Sequence, residues 1–215
     1  MSISWDHKYS FEYSVLLNGV QLRLTPFLEP IWNGEGELVA LELLTRIHDV
    51  NANKSVSPFL FFSLVCNEEQ LLIFQWQLEL LLQMLPWCHL RKIPVSVNIN
   101  RYLAEKITDI YWLNKVDALA PWLRLEINEL AVIPGLNGKD DPVIHRLKDV
   151  VPLWLDDFGM GTTTIPLLVS GDFERIKISH QLIHLLSMQK QGAVFLNAMQ
   201  KLCSENKKPL IAEGV

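Results

Sequence analysis

Trp154-Leu155-Asp156-Asp157-Phe158-Gly159-Met160-Gly161 sets two adjacent carboxylates at the end of an apolar run, and the fold is read outward from it. Pro152, Leu153, Trp154 and Leu155 have the unbroken apolar character of a strand covered on both faces. The glycines at 159 and 161 let the backbone turn sharply behind the aspartates. Thr162, Thr163 and Thr164 then offer hydroxyls to the open amides of a following helix, and Pro166 suits its first turn. Carboxylates at the carboxyl end of a parallel strand are where barrel enzymes keep their chemistry.

The rest of the chain repeats that grammar. Residues 21–32 alternate apolar with polar side chains and contain Pro26 and Pro30, which predicts a strand near a sheet edge. The turn at Asn33-Gly34-Glu35-Gly36 leads to a second strand over 38–47, so the two form a hairpin. Glu42 lies among Val39, Ala40, Leu41, Leu43 and Leu44, with Arg46 four residues on, and so apolar a setting demands a partner for its charge. Ser57-Pro58 starts helical material over 59–85, divided in two by the polar run Asn67 to Gln70. Phe59, Phe61, Phe62, Phe74 and Trp76 are expected to pack in the core, as are Tyr102, Tyr111 and Trp112 in the helical stretch 101–118. Further strands are predicted over 93–99, 122–127, 151–155, 173–178 and 209–212, with helices over 143–149, 180–188 and 193–203. Strand and helix in alternation predict an α/β fold with a parallel sheet. Polar residues finishing nearly every strand favour a closed barrel of the TIM (β/α)8 type, which brings those ends together. One domain is expected over 1–215, with 1–20 as an N-terminal extension.

Composition narrows the function. The chain has 215 residues, 49% hydrophobic and 20% charged, enough for one substantial core. A net charge of -5 and the lack of a basic cluster argue against direct nucleic-acid binding. No apolar run is long enough for a membrane span, and residues 1–13 do not form a secretory signal. Cys66, Cys88 and Cys203 are read as buried free thiols, and the protein as cytoplasmic.

Taken together the strand ends offer Glu42, Asn98, Glu126, Asp156, Asp157, Lys177 and Glu213. One such carboxylate alone would be read as a helix cap or surface charge; the set is harder to read that way. It is rich in oxygen and holds neither cysteine nor histidine, which suits hard divalent ions such as Mg²⁺ or Mn²⁺ rather than zinc. Two metals held by such ligands can activate water and stabilise the oxygens of a phosphoryl transfer.

At these positions the sequence resembles the EAL domain family, bacterial phosphodiesterases that hydrolyse cyclic di-GMP to the linear dinucleotide pGpG. The resemblance rests on Glu42-Leu43-Leu44-Thr45-Arg46, Val97-Asn98, Glu126-Ile127-Asn128-Glu129, Asp156 to Gly161, Lys177-Ile178 and Ala212-Glu213-Gly214-Val215. It implies a modified TIM barrel with one antiparallel strand. It also implies Glu42, Asn98, Glu126 and Asp156 as metal ligands, Asp157 beside a second metal, and Glu213 supporting metal or water. Lys177 would align the attacking water, Arg46 would meet a ligand phosphate, and Leu44 and Glu29 stand at neighbouring ligand-binding positions. Glu129 would brace the loop after Asp157, through which a homodimer is expected.

The departures from the family pattern pull the other way. Glu29 stands where the family has glutamine, Ser179 replaces an aspartate, Met160 and Thr162 replace threonine and tyrosine, and Leu43 replaces alanine. Family members continue past Glu-Gly-Val with a helix, a strand and a closing helix, so over 1–215 a barrel lacking its last elements is expected: either the sequence is cut short, or a partner or second copy covers the gap. The resemblance therefore implies a phosphodiesterase, or else an inactive EAL-like regulator that binds another protein such as the flagellar master transcription regulator. A sensor that binds cyclic di-GMP without cleaving it is a third expectation.

Overall fold

The computed structural model describes residues 11–132, 141–160, 168 and 172–212. The strands are β1 (Tyr13–Leu17), β2 (Val20–Trp32), β3 (Leu38–Asp49), β4 (Lys54–Val56), β5 (Val95–Ile99), β6 (Leu123–Asn128), β7 (Leu153–Phe158), β8 (Arg175–Ile178) and β9 (Leu210–Ala212). The helices are α1 (Pro58–Leu64), α2 (Asn67–Arg91), α3 (Arg101–Ile107), α4 (Ile110–Asp117), α5 (Pro142–Lys148), α6 (His180–Ser187) and α7 (Gly192–Glu205), and a 3-10 turn covers Glu129–Ala131.

All nine strands form one sheet in the order β1-β2-β3-β5-β6-β7-β8-β9, with β4 attached to β3. From β3 through β5 to β9 the pairing is parallel, while β2 runs antiparallel to β3. The hairpin at Asn33 is held by its side chain, whose Oδ1 accepts from the amides of Glu35 and Glu37 at 3.0 and 2.8 Å. β2 lies near the sheet edge, as the sequence predicts: β1 pairs only with its first half, Tyr13 opposite Leu24 through Leu17 opposite Val20. Pro26 and Pro30 lie beyond the reach of β1, where a missing amide costs no ladder bond on that side.

The sheet is not closed by hydrogen bonds among the described residues, yet it curls strongly. β3 and β8 are four strand spacings apart in the sheet order, which is roughly 19 Å along a flat sheet. Lys177 Nζ on β8 nevertheless lies 2.8 Å from Glu42 Oε2 on β3. Ile31, Ala40 and Trp154 pack together on the concave side with Ile211 of β9, so β2 and β9 face each other across the interior. The register steps by two residues between β3 and β5 and again between β6 and β7. Glu42 sits opposite Ser96, Asn98 opposite Glu126, and Asn128 opposite Asp156. Such stagger is the geometry of a barrel wall.

The other strand face, with Leu41, Leu43, Val95, Val97, Leu123, Leu125, Leu153 and Leu155, packs against the helices in the main core. Several packing expectations are corrected. Phe61, Phe74, Trp76 and Trp112 are buried, but Phe59 is 87% exposed and Tyr111 is exposed, since each faces away from the sheet on a short helix. Cys88 and Cys203 are buried, whereas Cys66 is exposed because it is the cap residue outside the first turn of α2. The break expected inside 59–85 falls at Val65-Cys66, and α2 continues past Pro86 to Arg91 before Lys92 ends it in left-handed conformation. The helical stretch 101–118 is two helices, parted at Thr108 and capped anew at Asp109. No described helix is long and apolar enough to cross a membrane. The expected cap at Thr162 to Thr164 and Pro166 lies outside the described residues.

Candidate functional site

Parity decides which side chains enter the barrel. Along β6 the leucines at 123 and 125 and Ile127 face the helices, so Arg124, Glu126 and Asn128 face inward. The same rule turns Asp156 inward on β7 and Lys177 inward on β8. β7 then gains one residue, because Leu155 opposes Ile176 and Phe158 opposes Ile178. That bulge puts Asp157 at φ 56 and Gly159 at φ 99, and so lets two successive aspartates stand at one strand end.

Lys177 is the hub. Its Nζ donates to Glu42 Oε2 and Glu126 Oε2 at 2.8 Å each and lies 3.3 Å from Asp156 Oδ1. Asn98 Nδ2 donates to the other oxygen of Glu42 at 2.7 Å. Asn128 Nδ2 donates to Asp157 Oδ2 at 2.6 Å, and Glu129 Oε2 accepts from the Gly159 amide at 2.9 Å. Asn128 went unassigned in the sequence, although its position two residues after Glu126 on the same strand face signals an inward side chain.

Glu126 is fully buried, and its carboxyl is pushed up to about 8 by that burial and by the neighbouring Glu42 and Asp156 charges, against the opposing pull of Lys177. One ammonium among three carboxylates leaves the ring short of positive charge. Glu126 Oε1 and Asp156 Oδ1 are buried and accept no hydrogen bond. Oxygen donors left without protons to accept suit a hard divalent ion. Among the described residues no group of three or more His, Cys, Asp or Glu is spaced to hold a metal ion as it stands; in the ring the ammonium of Lys177 lies between the three carboxylates.

A pH experiment follows from Glu126. Its folded-state value is raised above the ordinary carboxylate range, so the native chain holds more protons than the unfolded one between about pH 4.5 and about 8. The associated stability is present below that window and is lost as pH rises through it. In chelator, the unfolding free energy should fall across the window with a slope of at most about 1.4 kcal/mol per pH unit from this group. Glu126→Gln should flatten that slope in urea denaturation; an unchanged slope would show that other groups set it.

Leu44 and Arg46 line a cleft of ≈ 750 Å³ that runs from Asp156 and Asp157 over β3 to α1. Its wall includes Phe27, Leu44, Arg46, Phe59, Phe62, Asn98, Asp156 and Asp157. Arg46 does not pair with Glu42; its guanidinium stacks 3.9 Å over Phe27 at the rim. Glu29 is exposed and directly opposite Glu42 across the hairpin. Glu213 lies outside the described residues.

Comparison with known proteins agrees with this geometry. The chain is 28% identical over 189 residues to the cyclic di-GMP phosphodiesterase PdeH of Escherichia coli K12, covering 87% of this chain and 72% of PdeH. It is 25% identical over 187 residues to the putative anti-FlhC(2)FlhD(4) factor YdiV of the same organism, covering 86% of this chain and 78% of YdiV. The crystal structure of the EAL-like protein YdiV superposes with a TM-score of 0.75 at 23% identity, over 88% of this chain and 81% of that one. The manganese and cyclic di-GMP complex of BlrP1 from Klebsiella pneumoniae superposes with a TM-score of 0.69 at 18% identity, over 96% of this chain and 52% of that one. The model of the EAL domain matches residues 16–215, which, with an inward-facing Glu42, Asn98, Glu126, Asp156 and Lys177 at one end of a curled parallel sheet, makes this chain a member of the EAL domain family.

Proposed function

We propose that the chain binds cyclic di-GMP in the cleft above the carboxylate ring and hydrolyses it to pGpG with Mg²⁺ or Mn²⁺, in the cytoplasm. The observation that carries this reading is the ring itself: Glu42, Glu126 and Asp156 held around a nearly inaccessible Lys177, with two buried oxygens that accept nothing. A module that only binds proteins has no use for so costly an arrangement.

Glu42, Glu126, Asp156 and the amide oxygen of Asn98 would hold the metal, with Asp157 beside a second one. A divalent ion there polarises phosphoryl oxygens and acidifies water. The chain's own groups do the rest. Asn98 and Lys177 fix the two oxygens of Glu42. Asn128 fixes Asp157, and Glu129 fixes the turn behind it. Arg46, spread flat on Phe27 at the cleft rim, is placed to pair with a phosphate of the ligand. The similarity to PdeH supports the same reaction. Incubation with cyclic di-GMP and Mn²⁺ or Mg²⁺ should yield pGpG, and chelator should stop it. If the full chain neither binds nor cleaves the dinucleotide, this reading falls.

One observation favours a second reading. Glu29 faces Glu42 across the hairpin, so a second carboxylate borders the place where an anionic ligand would lie. A further negative charge there weakens binding of an anionic dinucleotide by repulsion. Under this reading the chain acts by binding protein, as the name of YdiV states for that relative, and FlhC(2)FlhD(4) is the partner to test. Failure to co-purify with that complex would count against it. Under either reading a homodimer through the loop after Asp157 is the expected assembly, measurable by sedimentation.

A further inference from the structure

We infer that the exposed face of α6 is a chelating site for a copper ion, formed by His180 and His184 with Met188 one turn further along. The three residues are spaced four apart, which places them in a row on one side of a helix. The imidazoles of His180 and His184 are neighbours one turn apart, 6.0 Å between centroids, and stacked at 10° between planes. Rotation about the side-chain bonds of these exposed residues turns a ring nitrogen of each, whose lone pair lies in the ring plane, onto one ion at metal–nitrogen distances of about 2.0–2.1 Å. Met188 continues the row because its backbone is still right-handed helical, and it is 69% exposed. A thioether so exposed contributes nothing to the core, where methionine ordinarily serves.

The donor chemistry selects the ion. Imidazole suits late first-row metals, Cu²⁺ binds such sites most tightly in that series, and a thioether favours Cu(I). α6 carries no carboxylate in His180–Ser187, so Mg²⁺ and Mn²⁺ gain nothing there. The two metal chemistries are thereby separated: hard ions to the oxygens inside the barrel, soft and borderline ions to α6 outside it. The helix dipole opposes a cation at His180 and favours one near Met188, which draws the ion toward the second turn.

The position on the fold is also informative. α6 follows Lys177 on β8 after Ser179, whose Oγ accepts from the Leu182 amide at 3.2 Å. Leu182 lies between the two histidines in sequence and packs against the turn at Gly159. The chelate therefore sits on the helix that walls the aspartate turn. Two of the other described histidines are engaged differently: His48 bonds Asn53, and His89 stacks on Trp122.

The test uses the full chain in isothermal titration with Cu²⁺, in excess Mg²⁺ so that the carboxylate ring does not compete. One equivalent should bind, and His180→Gln and His184→Gln should each weaken it about tenfold or more, because the second imidazole binds intramolecularly. Under reducing conditions with a Cu(I)-specific competitor, Met188→Leu should weaken Cu(I) while leaving Cu²⁺ affinity unchanged. Far-UV circular dichroism should show all three variants folded. Equal Cu²⁺ affinity in the wild type and in His184→Gln overturns the site, and equal Cu(I) affinity in Met188→Leu overturns the part given to the thioether.

Discussion

Lys177→Met is expected to lower the unfolding free energy by about 3–5 kcal/mol, the range for removing one partner of a buried ion pair. The substitution preserves the length of the stem, so the loss reports charge rather than packing. Nζ is the hydrogen-bond donor to Glu42 and Glu126, and Glu126 is fully buried. Without the ammonium, Glu42, Glu126 and Asp156 face one another as like charges, and Glu126 must protonate or draw in water. Urea denaturation in chelator at pH 8 gives the measurement. At pH 5 the deficit should shrink, because Glu126 already holds its proton there. Mn²⁺ should restore more stability to the variant than to the wild type, since a divalent ion supplies the missing charge. Turnover of cyclic di-GMP should be lost in the variant even where Mn²⁺ restores the fold. A variant as stable as the wild type in chelator at pH 8 would mean the ring is solvated rather than held by the lysine.

Gly159→Ala carries the second large effect, and its cause is steric. At φ 99 a side chain is disfavoured, by about 1–2 kcal/mol for an L-residue in left-handed conformation. An added Cβ would also stand 2.4 Å from Leu182 Cδ2 and 3.0 Å from Leu182 Cβ, an overpacking that typically costs about 1–3 kcal/mol. The sum is about 2–5 kcal/mol. The two parts separate in a double-mutant cycle with Leu182→Ala, which should relieve the crowding and leave the backbone cost. The loss should also reach the site, because the Gly159 amide is the donor to Glu129. If Gly159→Ala unfolds with the wild-type midpoint, α6 has room to move away and does not wall the turn.

Glu126 and Asp156 were legible because each stands near the carboxyl end of an apolar strand, where parity sends it inward. Glu42 in its apolar run announced a need for a partner, but the sequence offered Arg46 as the near basic residue, and the structure gives the role to Lys177, 135 positions away. Only the curl of the sheet makes that pairing, and curl is a property of many strands at once. The bulge in β7 was hidden for a similar reason: an extra residue exists only relative to the strand opposite. β1 and β4 escaped because five and three residues are too short for periodicity to declare itself. The exposed Phe59 misled because composition marks apolar residues but not which side of a one-turn helix they occupy. Asn128 illustrates the converse, a residue whose role could have been read from strand parity alone.

The half of β2 that β1 leaves uncovered has a consequence for how the protein behaves when crowded. Beyond Leu24 its outer edge carries prolines at 26 and 30, which offer a carbonyl but no amide. A strand from a neighbouring molecule that approached this edge would find acceptors without their alternating donors and could not zip up a regular ladder. The two prolines thus act as a guard against edge-to-edge polymerisation, placed on the stretch of the hairpin that no described strand covers.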